Sequence, residues 1–165
     1  SDYDVELLIQ TLIEFKERYK LEVYLEPGEA VALNAGYLVA SVIDIIENGI
    51  QIAILDTSAA CHMPDVIEMP YRPAIIGASE TGVEEFAYRL AGPTCLAGDV
   101  IGDYSFAEQL KIGSRLIFCD MAIYSMVKNN TFNSMAFPLI AMIYLELMFL
   151  VFIQFGYVDV KNRLS

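Results

Sequence analysis

The sequence predicts a mostly β domain, a sandwich or barrel, preceded by one amphipathic helix and one strand. Three observations carry this. Short runs rich in β-branched residues follow one another from Leu38 onward, punctuated by Gly and Pro. Glu47-Asn48-Gly49 and Ser79-Glu80-Thr81-Gly82 read as hairpin signals between such runs. Clear helical periodicity is confined to the start of the chain.

Val5, Leu8, Ile9, Leu12 and Phe15 recur at helical spacing, with acidic residues ahead of them and Lys16, Arg18 and Lys20 behind, in accord with the helix dipole. Leu21 to Leu25 alternates with period two and stops at Pro27-Gly28, which predicts a strand delivering a sharp turn. Leu38 to Ile46 and Ile50 to Leu55 form the first predicted hairpin. Ala74 to Ala78 and Glu84 to Leu90 form the second, and Arg115 to Cys119 adds a strand. Asp103 to Phe106 leads into a short polar stretch rather than a helix. Met135 to Phe155 is almost wholly apolar and long enough to span a bilayer, but Glu146 near its middle costs roughly 2–3 kcal/mol there. Two buried strands, Leu139 to Tyr144 and Phe149 to Phe155, are the preferred reading.

At 165 residues the chain suffices for one ordinary domain with its own core. A formal net charge of −12 repels phosphate backbones and disfavours nucleic acid as a partner, while suiting a cationic one. The three cysteines, Cys61, Cys95 and Cys119, are widely spaced, and His62 is the single histidine. That pattern favours a reducing compartment over a disulfide framework and offers no metal site. No signal-peptide pattern opens the chain, and Ser1 stands where an initiator Met would, so a longer polypeptide is expected.

Three polar clusters could carry chemistry. Glu26-Pro27-Gly28-Glu29 could aim a carboxylate at a ligand, with Gly28 permitting close backbone approach, or it could be a solvated turn. In Gly92 to Asp99, glycines flank Cys95, whose thiol is either an acid or nucleophile or a buried structural group. In Asp56 to Asp65, Cys61 and His62 are sequence neighbours, which disfavours a catalytic dyad between them and points to a satisfied loop histidine.

These clusters resemble the fold-III pyridoxal-phosphate decarboxylases, the group holding ornithine, diaminopimelate and carboxynorspermidine decarboxylases. The phrase Leu55-Asp56-Thr57-Ser58-Ala59-Ala60-Cys61-His62-Met63-Pro64-Asp65, continued by Glu68 to Pro73, is similar to the carboxynorspermidine/carboxyspermidine branch in particular. So are Gly92 to Asp103 and the tail from Phe155 to Leu164. The resemblance implies that residues 1–30 end an (α/β)8 cofactor-binding barrel and residues 31–165 form the C-terminal β-domain. The Schiff-base lysine then lies upstream, leaving the chain inactive by itself.

The resemblance also implies roles. Glu26 would pair with the pyridine nitrogen of pyridoxal 5'-phosphate, which keeps the ring an electron sink. Gly28 and Tyr124 would contact its phosphate. Cys95 would return a proton to the α-carbon across the interface of a homodimer with shared active sites. Asp56 and Asp99 would face a small cationic carboxy-polyamine. The expected activity is decarboxylation of carboxynorspermidine or carboxyspermidine to the triamine, in the cytoplasm, without nucleic acid or membrane.

Four departures accompany the match. Glu29 stands where ornithine and diaminopimelate decarboxylases carry a phosphate-gripping arginine; it loses that clamp and could meet a substrate amine instead. Leu96 replaces an aspartate, Ile123 a polar residue, and the apolar Met142 to Ile153 a polar hairpin. A non-catalytic binding or dimerisation module and a membrane-anchored protein are the rival expectations.

Overall fold

The computed structural model describes residues 3–144 and 148–153. It divides into two compact units, Ser1–Val31 and Ala32–Ser165.

In the first unit, helix α1 (Val5–Tyr19) starts where the Asp4 side chain accepts the Leu7 N–H and ends at Lys20, whose left-handed backbone donates to the Lys16 carbonyl. Both ends thus satisfy groups the helix leaves open. None of its residues is buried, and Val5, Ile9 and Ile13 stand exposed. The predicted strand at Leu21 to Leu25 does not form. Its alternation is real, but a strand needs a neighbouring ladder, and none pairs with it among the described residues. Pro27-Gly28 likewise opens a short helix, α2 (Gly28–Ala32), rather than a sharp turn.

The second unit holds a six-stranded sheet. Its strands are β1 (Leu38–Glu47), β2 (Gln51–Leu55), β3 (Ala78–Ser79), β4 (Phe86–Ala91), β5 (Val100–Phe106) and β6 (Arg115–Phe118), in the spatial order β3-β5-β4-β2-β1-β6. The first predicted hairpin is present: β1 and β2 pair antiparallel around Gly49, whose φ of 71° suits a residue without Cβ. The second is corrected. β3 and β4 each pair with β5, a strand not anticipated, which lies between them. Gly102 (φ 156°) and the register slip between Leu90 and Ala91 interrupt the alternation of β5, which hid it from a period-two reading.

The sheet curls, and its two edges are linked. Ile75, just ahead of β3, bridges to Phe118 of β6, with Ile76 N–H donating to Ile117 O (3.0 Å) and Cys119 N–H to Ala74 O (2.8 Å). The concave core contains Ala40, Val42, Ala53, Leu55, Tyr88, Leu90, Leu116 and Phe118, alternate positions along their strands. Of the sandwich or barrel expected from strand patterning, the structure forms a curled, half-barrel sheet.

The apolar C-terminal stretch forms an antiparallel pair, β7 (Ile140–Tyr144) and β8 (Met148–Ile153), as a separate two-stranded sheet. Strands are therefore the right reading of this stretch. Leu139 and Met142 are nonetheless exposed rather than buried. Among the described residues no helix is long and apolar enough to cross a membrane. Glu146 and the tail from Phe155 lie outside the described residues.

Candidate functional site

Three loops at the ends of β2, β4 and β6 are tied together in the second unit. The first follows β2. This polar cluster contains two short helices, α3 (Ala59–His62) and α4 (Asp65–Glu68). Ser58 caps α3, its side chain accepting the Cys61 N–H, and a Ser ahead of a small-residue run is the sequence signal for such a cap. The second loop runs from Gly92 to Asp99. The third runs from α5 (Tyr124–Val127) through a 3-10 turn (Phe132–Ser134) toward β7.

Asp99 is the junction of the first two. Its side chain is 3 % exposed, and its oxygens accept the Ser58 hydroxyl (3.0 and 2.9 Å), the Ala60 N–H (3.2 Å), the Thr94 N–H (3.3 Å) and the Thr94 hydroxyl (2.6 Å). All of these donors belong to the chain itself. Gly92 makes room for it: a Cβ there would lie 2.3 Å from Asp99 Oδ2.

The third loop is fastened to α3. Asn130 donates its amide to Ala60 O (2.8 Å) and its N–H to Cys61 O (3.0 Å), and the Cys61 thiol donates to Phe132 O (3.3 Å). His62 is buried with both ring nitrogens engaged, by Thr57 Oγ1 (2.8 Å) and Ala136 O (3.0 Å). A carbonyl can only accept, so Nε2 carries the proton and Nδ1 accepts from Thr57. Burial lowers the His62 pKa, countered in part by the Ala136 carbonyl and the charges of Asp99 and Asp56. Burial likewise raises that of Cys61. His62 is thus satisfied as expected, the Cys61 thiol has its own partner in Phe132 O, and both residues sit on the short helix α3 rather than in a loop. Ser58, Thr57, Thr94 and Asn130 were not singled out from sequence. Apart from the cap at Ser58, nothing local marks them, because their partners lie on other loops.

Of the other candidates in this unit, Asp56 is exposed and accepts the Ser41 N–H at 2.7 Å. Cys95 is an exposed free thiol on the loop anchored by Asp99. Tyr124 opens α5, 53 % exposed, with the Lys128 ammonium 5.0 Å from its ring centroid. Lys128 also donates to Glu68 of α4, which raises its pKa. Glu26, Gly28 and Glu29 belong to the first unit, all exposed, with nothing within 4 Å of the position a Gly28 Cβ would take.

The family described as "Pyridoxal-dependent decarboxylase, C-terminal sheet domain" matches residues 3–122, and the chain belongs to it. It is similar to the carboxynorspermidine/carboxyspermidine decarboxylase of Campylobacter jejuni, 52% identical over 147 residues, covering 82% of this chain and 38% of that protein. It is also similar to the carboxyaminopropylagmatine decarboxylase of Synechocystis, 44% identical over 165 residues, covering 99% of this chain and 43% of that protein. Among solved structures it resembles the C. jejuni carboxynorspermidine decarboxylase complexed with norspermidine. That match has a TM-score of 0.86 and 46% identity, and covers 99% of this chain and 47% of the other. The chain therefore spans less than half the length of these relatives.

Proposed function

We propose that the intact protein decarboxylates carboxynorspermidine or carboxyspermidine, with pyridoxal phosphate, to the corresponding triamine and CO2. The 52% identity to the C. jejuni relative carries this reading. When bound, the cofactor supplies the electron sink that decarboxylation needs. The groups it requires are present: an exposed carboxylate at Glu26 to accept from the ring nitrogen, open backbone at Gly28, and the exposed Tyr124, whose hydroxyl can donate to phosphate.

Glu26 would hold the pyridine nitrogen protonated, and Gly28 and Tyr124 would bind the phosphate. Asp56 holds the distal ammonium of the substrate, and Glu29 adds a second acid for a polyamine with several charges. Cys95 gives its proton to the carbon that loses CO2, and water restores the thiol. Residues 1–30 act as the end of a larger barrel, a role that fits the bare apolar side chains of α1. Exposed Cys95 reaches the active site of a partner protomer in a homodimer. The three free thiols suit the cytoplasm.

The test is an assay of the intact protein on carboxynorspermidine, carboxyspermidine and carboxyaminopropylagmatine, scoring CO2 and amine. Turnover of the first or second at a kcat/KM well above that of the third is expected. Preference for the agmatine derivative would move the protein to the other substrate, and no CO2 from any would leave a non-catalytic domain. In Cys95→Ala the ratio of carbonyl by-product to amine should rise, because the carbon that loses CO2 has lost its proton donor; an unchanged ratio removes the thiol from the reaction.

A further inference from the structure

We propose that Asp99 is a positioning residue for Cys95, holding the thiol-bearing loop against the loop that starts at Asp56; this rests on the assignment of Cys95 as proton donor. Thr94, the residue immediately before Cys95, gives both its N–H and its hydroxyl to Asp99 Oδ2, at 3.3 and 2.6 Å. The same carboxylate takes Ser58 Oγ and Ala60 N–H from the first loop. Backbone bonds complete the turn around Cys95: Gly92 N–H donates to Asp99 O and Asp99 N–H to Leu96 O, both at 2.9 Å. The exposed thiol is therefore mounted on a loop whose one deeply buried polar side chain is this carboxylate.

The geometry explains why two acceptor oxygens should be kept there. Four neutral donors converge on them, and a buried polar group without such partners costs desolvation. An amide at the same position must turn two N–H groups toward donors, and the junction opens. Gly92 shows the tightness of the fit, since a methyl group would fall inside van der Waals distance of Oδ2. A proton transfer to a carbon tolerates little misplacement of its donor.

The readout is the ratio of carbonyl by-product to amine in the intact enzyme with its cofactor. A ratio measures where the proton lands on each turnover and does not depend on how much enzyme is folded. Asp99→Asn and Thr94→Val are each expected to raise it by roughly tenfold or more, in the direction of Cys95→Ala. Phe106→Leu, a core truncation paired with Phe86 at the end of β4 opposite these loops, should lower yield and leave the ratio alone. Thr94→Val keeps shape and carries the test if Asp99→Asn fails to fold. Wild-type ratios in both loop variants, with Cys95→Ala shifted, overturn the positioning role and leave the thiol in place. An unshifted Cys95→Ala overturns the thiol assignment and this inference with it.

Discussion

Arg72 lies over the ring of Tyr104, its guanidinium carbon 4.7 Å from the centroid, while the Tyr104 hydroxyl donates to the carbonyl of Pro73, the next residue, at 2.7 Å. The pair fastens the segment that links the two edges of the curled sheet to strand β5. Arg72 also donates to Asp103 O (3.0 Å) and to Glu80. Gly102 lies close beneath, where a Cβ would come within 3.1 Å of Arg72 Cγ.

Tyr104→Phe keeps the ring under Arg72 but leaves the Pro73 carbonyl without its donor, at a cost of roughly 1–3 kcal/mol. Tyr104→Leu also removes the cation–π contact and should cost about 0.5–2 kcal/mol more. Urea denaturation of the intact protein measures both. A Phe variant as stable as wild type would mean the carbonyl finds another donor.

His62 gives a pH dependence of known sign. Burial holds its folded pKa below the unfolded value of about 6.5, so the unfolded chain binds the extra proton first. Stability is full above about pH 6.5 and declines as pH falls toward the folded value. Thermal midpoints of wild type and His62→Gln should therefore approach one another in mild acid. A constant gap from pH 8 to 5 would show that the imidazole contributes nothing to the slope.

Arg89 holds Asp103 by two bonds of 2.7 and 2.8 Å across β4 and β5, and this lowers the Asp103 pKa. The contribution is present above the unfolded value of about 3.9 and is lost as pH drops through the lower folded one. Both side chains are over 40% exposed, 41% and 43%, so solvent screens the pair and Asp103→Asn should cost less than about 1 kcal/mol at neutral pH. The difference should shrink in 1 M salt and again near pH 3. A larger cost in high salt would rule out an electrostatic origin.

Gly92→Ala drives a methyl group into Asp99 and should destabilise by roughly 1–3 kcal/mol. Gly98→Ala meets nothing within 4 Å and should stay within about 0.5 kcal/mol of wild type. Equal effects in denaturant would mean that the Asp99 junction yields without cost.

Local chemistry determined much of this protein. Asp4, the spacing Val5 to Phe15 and Lys20 define α1 without help from any other element, because helix bonds and caps join near neighbours. Asn48-Gly49 determines the first hairpin in the same way. The motifs around Asp56, Cys95 and Tyr124 are equally legible, since a family phrase is a local string. Tertiary structure decided the rest. Leu21 to Leu25 alternates as a strand would, yet forms none, because pairing depends on what lies alongside. β5 enters between β3 and β4 although the sequence between those two reads as a turn. Asp99 looks like one more loop carboxylate until Ser58, 41 residues earlier, reaches it. Contacts of that span leave no trace in spacing, for each partner answers only to where the folded chain carries the other.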